Sequence, residues 1–193
     1  MEFQEFNFHP VIAAGIKEAG YTTPTPIQQQ SIPTVMQGRD VMGLAQTGTG
    51  KTAAFVLPIL NRLIDSPGGH VRALVVAPTR ELAEQIHESF VTLGKSTRRK
   101  SVTVYGGVNI NPQIQTLING VDIVVACPGR LLDHISQGSI NLSHLEVLVL
   151  DEADQMFDMG FLPDIRKILA QIPAKRQTLL FSATMPPSIN KLA

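Results

Sequence analysis

The 193-residue chain carries 16 basic and 16 acidic side chains, five histidines, one cysteine and no tryptophan. Balanced charge excludes a protein that gathers polyanions by its global field, so any nucleic acid must meet a local patch. A composition 44% hydrophobic and 17% charged excludes a disordered tail. A chain of this size buries about 70% of its unfolded surface, enough for a core without staples. The lone Cys127 cannot close an intrachain disulfide, which makes the cytoplasm the default compartment. No apolar run approaches the ~18 residues of a membrane span, and the N-terminus lacks a basic-then-apolar leader. No membrane partner is therefore expected.

In chain order, helical spacing covers Pro10–Ala19 and Pro26–Met36. Short apolar runs then alternate with helical stretches. The runs are Asp40–Ala45, Ala73–Ala77, Val102–Tyr105, Asp122–Ala126, Val147–Leu150 and Thr178–Phe181. The stretches are Lys51–Ile64, Glu81–Leu93, Ile110–Ile118, Arg130–Ser136 and Phe161–Gln171, and a last helix is expected to begin in Pro186–Ala193. The runs are continuous rather than alternating, as strands buried on both faces are. The pattern predicts an α/β domain with a mostly parallel sheet and helices on both faces.

A polar cluster follows each run. They are Gln46–Thr52, Pro78-Thr79-Arg80, Gly106-Gly107, Cys127-Pro128-Gly129-Arg130, Asp151-Glu152-Ala153-Asp154 and Ser182-Ala183-Thr184. In a parallel sheet all strand C-termini share one edge, where ligands bind. Six separated clusters are therefore expected on one rim. Arg98-Arg99-Lys100 is read as a solvated loop face in preference to an RNA patch, and Asp158-Met159-Gly160-Phe161 as a turn before a helix with Phe161 in the core. The histidines show no metal-ligand spacing.

The segment Ala45-Gln46-Thr47-Gly48-Thr49-Gly50-Lys51-Thr52 is a glycine-rich loop leading into Lys and Thr at a helix start, although Ala45 stands where the strict phosphate-loop pattern has Gly. Glycines turn backbone N–H groups inward onto phosphate oxygens, and the helix N-terminus favours the anion. Lys51 would reach the β- and γ-phosphates, and the Thr52 hydroxyl would ligate Mg²⁺. One hundred residues after Lys51, Asp151-Glu152 ends an apolar run, where carboxylates are costly to bury unpaired. Asp151 would hold the Mg²⁺ through water, and Glu152 would orient and deprotonate an attacking water. Asp154 is expected to cap the following helix.

Asp151-Glu152-Ala153-Asp154 resembles the signature of the DEAD-box RNA helicases of superfamily 2. Other blocks resemble that family's in order: Gly20-Tyr21-Thr22-Thr23-Pro24-Thr25-Pro26-Ile27-Gln28 its Q motif, Ala45–Thr52 motif I, Pro78–Ala83 motif Ia, Gly106-Gly107 its GG element, Cys127–Arg130 motif Ib and Ser182–Thr184 motif III. The flavour is of bacterial RhlE-like members. The resemblance implies a RecA-like P-loop domain, with residues 1–38 as the Q-motif region and 39–193 as the P-loop core. It implies ATP as cofactor, with Gln28 reading adenine, Phe3 stacking on it, and Tyr21 and Thr23 completing the pocket. Ordinary packing is the competing explanation for Phe3. It further implies sequence-independent RNA-backbone contacts at Pro78, Thr79, Arg80, Gly106, Gly107, Pro128, Gly129 and Arg130, with Cys127 replacing the family's usual Thr. Ser182 and Thr184 would bond Asp154 and couple ATP to closure.

The resemblance also implies a second RecA-like lobe that supplies arginine fingers, so the chain is expected to be a monomeric N-terminal lobe. Such a lobe binds nucleotide but hydrolyses it poorly, since an arginine finger is worth about 10³–10⁵ in rate. Two other classes fit parts of the pattern: a DNA-directed motor ATPase, and a nucleotide-gated adaptor without chemistry.

Overall fold

A computed structural model describes residues 2–184. The helix expected from Pro186 lies outside the described residues. Six strands form one sheet: β1 (Val41–Leu44), β2 (Ala73–Val76), β3 (Ser101–Val104), β4 (Ile123–Ala126), β5 (Val147–Leu150) and β6 (Gln177–Ser182). Their order is β1-β6-β5-β2-β4-β3 and every pairing is parallel. The eight α-helices of the described residues are α1 (Pro10–Glu18), α2 (Pro26–Met36), α3 (Lys51–Leu63), α4 (Arg80–Leu93), α5 (Asn111–Ile118), α6 (Pro128–Ser136), α7 (Ala153–Asp158) and α8 (Leu162–Leu169). A 3₁₀ turn at Phe3–Phe6 precedes them.

Topology explains why helices cover both faces. From β1 the chain moves across the sheet to β2 and on to β3, at the far edge, and then reverses through β4, β5 and β6. Right-handed crossovers put helices of opposite travel on opposite faces. Side-chain alternation splits the core accordingly. Ala73, Val75, Ile123, Val125, Val147, Val149, Leu179 and Phe181 pack with α1, α3 and α4. Leu74, Val76, Val124, Ala126, Leu148, Leu150 and Leu180 pack with residues of α6, α7 and α8. The inner strands β2, β4 and β5 are buried throughout, while the edge strands β1 and β3 are only partly covered.

The expected parallel α/β sheet is present, with boundaries mostly within two residues. The 3₁₀ turn was not foreseen, and of α7 only a cap at Asp154 was expected, without a range. Glu152, not Asp154, occupies the N-cap of α7, and Asp154 stands in its first turn. Phe161 is half-buried against the second core. Within Arg98-Arg99-Lys100, Arg99 departs from a solvated face. Its side chain is 13% exposed, lies 3.6 Å from the Asp122 carboxylate, and donates to the Ile64 carbonyl at 3.3 Å. No helix of the described residues is long and apolar enough to cross a membrane.

Candidate functional site: one rim of strand ends

The glycine loop has the backbone its residues call for. Gly48 and Gly50 stand at φ 83° and 89°, left-handed values open to glycine at little cost. Gly50 is the N-cap of α3, and a Cβ there would lie 2.6 Å from the Gln28 amide nitrogen. Gln28 is 1% exposed and its amide is committed at both ends. Nε2 donates to the Gly50 carbonyl at 3.0 Å, and Oε1 accepts from the Thr25 backbone N–H at 2.9 Å. The residue expected to face a base is thus also the strut joining the Thr25–Gln28 turn to the glycine loop. Phe3, Tyr21 and Thr23 line a separate groove of about 770 Å³, in which Phe3 and Tyr21 meet edge to face at 5.8 Å. Phe3 is 4% exposed, and Gln28 does not line this groove.

Lys51 is 6% exposed, and its ammonium donates to the Ala45 carbonyl at 2.8 Å. Asp151, 2% exposed, lies close enough for the two charges to act on each other. Burial pushes the Asp151 carboxyl up to about 6, against the pull of Lys51 and the Glu152 backbone N–H. Glu152 closes the circle, with Thr47 Oγ1 donating to its carboxylate at 3.1 Å across 105 residues. It does so from a left-handed backbone, φ 50° and ψ 50°, which is strained for a residue with a side chain. No cluster of three or more His, Cys, Asp or Glu able to hold a metal occurs among the described residues. A Mg²⁺ at this rim would therefore arrive with phosphates and keep its waters rather than sit in a protein cage.

The last strand joins the same rim. The Ala45 N–H donates to the Ser182 carbonyl at 3.0 Å. The Asp154 N–H donates to Ser182 Oγ at 3.2 Å, and both the N–H and the hydroxyl of Thr184 donate to Asp154 Oδ2 at 2.9 Å. Partial burial pushes the Asp154 carboxyl up, but hydrogen bonds from Thr184 and Ser182 prevail and hold it below the usual carboxylate range.

The residues expected to face RNA lie along the rim toward β3. Gly106, Gly107 and Gly129 are exposed, and a Cβ on each would meet open space. Arg80 is exposed at the start of α4, behind a Thr79 cap, and lies over the Tyr105 ring at 4.7 Å. Pro78 is buried in the bend before α4, and Pro128 is buried as the first residue of α6, where its missing N–H costs nothing. Arg130 differs from a free phosphate grip: its side chain is 12% exposed and donates to the Val108 carbonyl at 3.0 Å, bracing the loop after Gly107. Cys127 is half-buried at the N-cap of α6, and burial, aided by Glu81, pushes its thiol up to about 11. It therefore stays protonated and poorly reactive near neutrality.

Residue patterns gave no warning of the brace beneath this loop. Gln113 Nε2 donates to the Tyr105 carbonyl at 3.0 Å, its Oε1 lies 3.2 Å from His134 Nε2, and His134 Nδ1 lies 2.7 Å from Ser139 Oγ. The sole sequence hint is a Gln and a His on otherwise apolar helix faces. Burial, then the Arg130 charge, hold the His134 imidazole below its ordinary 6.5, so the folded state keeps it neutral. Its contribution to stability is full above pH 6.5 and is lost as pH falls through the folded value. Asp151, raised in the fold, works in the opposite sense. Comparing His134→Gln with the parent isolates the histidine. The variant is expected to lose less stability between about pH 7 and pH 5 in urea unfolding. Parallel acid limbs would refute a neutral buried His134.

Comparison with known proteins follows the same residues. A family model described as DEAD/DEAH box helicase matches residues 25–192. The chain is 49% identical over 192 residues to an ATP-dependent RNA helicase CshA of Limosilactobacillus reuteri, covering 100% of this chain and 38% of that protein. It is 49% identical over 191 residues to a DEAD-box ATP-dependent RNA helicase RhpA of Helicobacter pylori (strain B128), covering 99% and 38% respectively. The structure matches the crystal structure of a DEAD box protein from the hyperthermophile Methanococcus jannaschii with a TM-score of 0.94 at 40% identity, over 100% of this chain and 53% of that one. The sheet with its helices has the RecA-like α/β fold. The chain spans 38% of the length of these two curated relatives.

Proposed function

The chain belongs to the DEAD/DEAH box helicase family, and on that footing we propose that it is the N-terminal RecA-like, ATP-binding lobe of a cytoplasmic RNA helicase, working with a second RecA-like lobe. Residues 1–38 form its Q-motif region and 39–193 its P-loop core. The observation that carries this reading is the junction of Lys51, Asp151 and Glu152 at one end of the sheet, with Thr47 bonded to Glu152. In this reading Lys51 exchanges the Ala45 carbonyl for phosphate oxygens. The backbone N–H groups of Gln46–Lys51 enclose those oxygens, and Thr52 and Asp151 flank the metal. Mg²⁺, when bound, neutralises charge on the phosphates. Glu152 holds a water and takes its proton. Asp154, through Ser182 and Thr184, passes the state of the phosphate site to the interlobe side. Gln28 holds the adenine edge, Tyr21 and Thr23 reach the base from the groove they line, and Phe3, 4% exposed, supports Tyr21 edge to face. Pro78-Thr79-Arg80, Gly106-Gly107 and Pro128-Gly129 present N–H groups and the Arg80 charge to an RNA backbone, which carries no base information, while Arg130 braces the loop after Gly107 and acts on the RNA through it. Closure of the two lobes on RNA parts a short duplex locally, and the isolated lobe remains monomeric.

Competition titration of a fluorescent ATP on residues 1–193 with Mg²⁺ tests the reading. ATP is expected to compete at least about tenfold better than GTP, because a site bonding one base leaves polar groups unpaired on another. Equal competition would remove the Gln28 assignment. RNA-stimulated hydrolysis by 1–193 alone is expected to be barely measurable, and robust turnover would show that no second lobe is needed. Tighter binding of single-stranded DNA than RNA at fixed salt would favour the DNA-motor alternative.

A further inference from the structure

A second basic surface lies at the foot of the sheet, away from the rim. The loop between α4 and β3 carries Lys95, Arg98, Arg99 and Lys100, and with α5 it walls a groove of about 570 Å³. His87 also lines it, and no carboxylate does. Arg99 is held by Asp122 and Ile64, and His87 lies 3.2 Å from the Ser101 carbonyl. The Lys95, Arg98 and Lys100 side chains are exposed and form no ion pair among the described residues. Three unpaired cations around one groove are a local excess in a chain of net charge zero. Arg98 holds its place at φ 59°, a left-handed backbone that glycine or asparagine would adopt with less strain.

The groove and the RNA-facing rim share an edge strand. β3 begins at Ser101, beside Lys100, and its far end runs into Tyr105-Gly106-Gly107. From Ser101 to Gly106 is about 17 Å at strand rise, the span of about five stacked nucleotides at 3.4 Å each. We infer that Lys95, Arg98 and Lys100 form an auxiliary RNA-backbone site, which engages phosphates of the nucleotides flanking those held at the rim. The inference rests on the RNA reading proposed above. Of the groove's two rings, Phe90 is 2% exposed and His87 is half-buried with Nε2 3.2 Å from the Ser101 carbonyl, so neither presents an open stacking face, and recognition is of phosphate charge. Continuity with the rim favours RNA over an acidic polypeptide.

The test compares fluorescent oligouridylates of about six and about twenty nucleotides on residues 1–193. The variant is Lys95→Ala/Arg98→Gly/Lys100→Ala, in which Gly at 98 suits the backbone. The parent is expected to bind the longer strand at least about tenfold tighter, with a steeper salt dependence. The triple variant loses that advantage, and its log K against log salt slope for the longer strand falls by about 2, since each phosphate contact contributes about 0.7. Affinity for the short strand and for ATP is unchanged. An unaltered long-strand affinity, or an equal loss for both lengths, would overturn the site. If polyglutamate occupies the groove more tightly than the RNA, the surface belongs to an acidic protein and the inference fails. If the parent binds neither oligonucleotide, the RNA reading itself falls, and this site with it.

Discussion

Replacing Glu152 by Gln, in a polypeptide joining this lobe to the second RecA-like lobe proposed for it, is expected to lower ATP turnover by about 10²–10⁴-fold. ATP affinity should stay close to that of the parent. The backbone of Glu152 is left-handed, and its carboxylate accepts from Thr47 at the mouth of the phosphate loop. A strained residue costing about 1–3 kcal/mol persists where its surroundings hold it in place, and such residues gather at working sites. Gln preserves shape and can still accept from Thr47, but it cannot take a proton from water. Single-turnover hydrolysis and equilibrium nucleotide binding, measured side by side, separate the possibilities. A chemistry-free adaptor predicts no change in either, and parallel loss of binding and turnover would make Glu152 a ground-state ligand.

Phe181→Ala is expected to destabilise the chain by about 3–5 kcal/mol. The Phe181 ring is fully buried on β6, meets Phe55 of α3 at 5.5 Å, and lies across Gly43 so closely that a Cβ there would sit 2.6 Å from it. It thereby fills the space between β1 and the helix that follows the phosphate loop. Its removal leaves a cavity that backbone on two sides cannot close. Against a typical total stability of about 5–15 kcal/mol, the loss should drop the melting temperature by roughly 10 °C. A loss below about 1 kcal/mol in urea titration would mean that this slot repacks freely. Ser182 is the next residue, so the same variant should loosen the contacts of Asp154 with Ser182 and Thr184.

Much of this was legible in residue order. Continuous Val/Ile/Leu runs marked the strands, because burial on both faces leaves no polar position to break them. Parallel connectivity then obliged the polar clusters to meet, and Thr47–Glu152 and Asp154–Thr184 are contacts of that kind. Illegible were the features set by tertiary geometry. α7 is six residues long and starts at a left-handed Glu152, so neither periodicity nor a usual cap announces it. The resemblance placed Arg130 among the RNA contacts, and its bond to the Val108 carbonyl, a backbone atom 22 residues away, is one that no side-chain pattern encodes. Gln28 stood between two other glutamines, and only the fold distinguishes the one that bridges Thr25 to Gly50.

The bond from the Lys51 ammonium to the Ala45 carbonyl has a kinetic meaning. A cation so deeply enclosed would be stranded whenever product departs, and a stranded charge resists departure. Here the loop keeps a resting berth for it, so under the proposed function each cycle would move the ammonium between two moorings rather than from a mooring into nothing. Release of product, on that proposal, would be spared much of the penalty that tight triphosphate capture would otherwise impose.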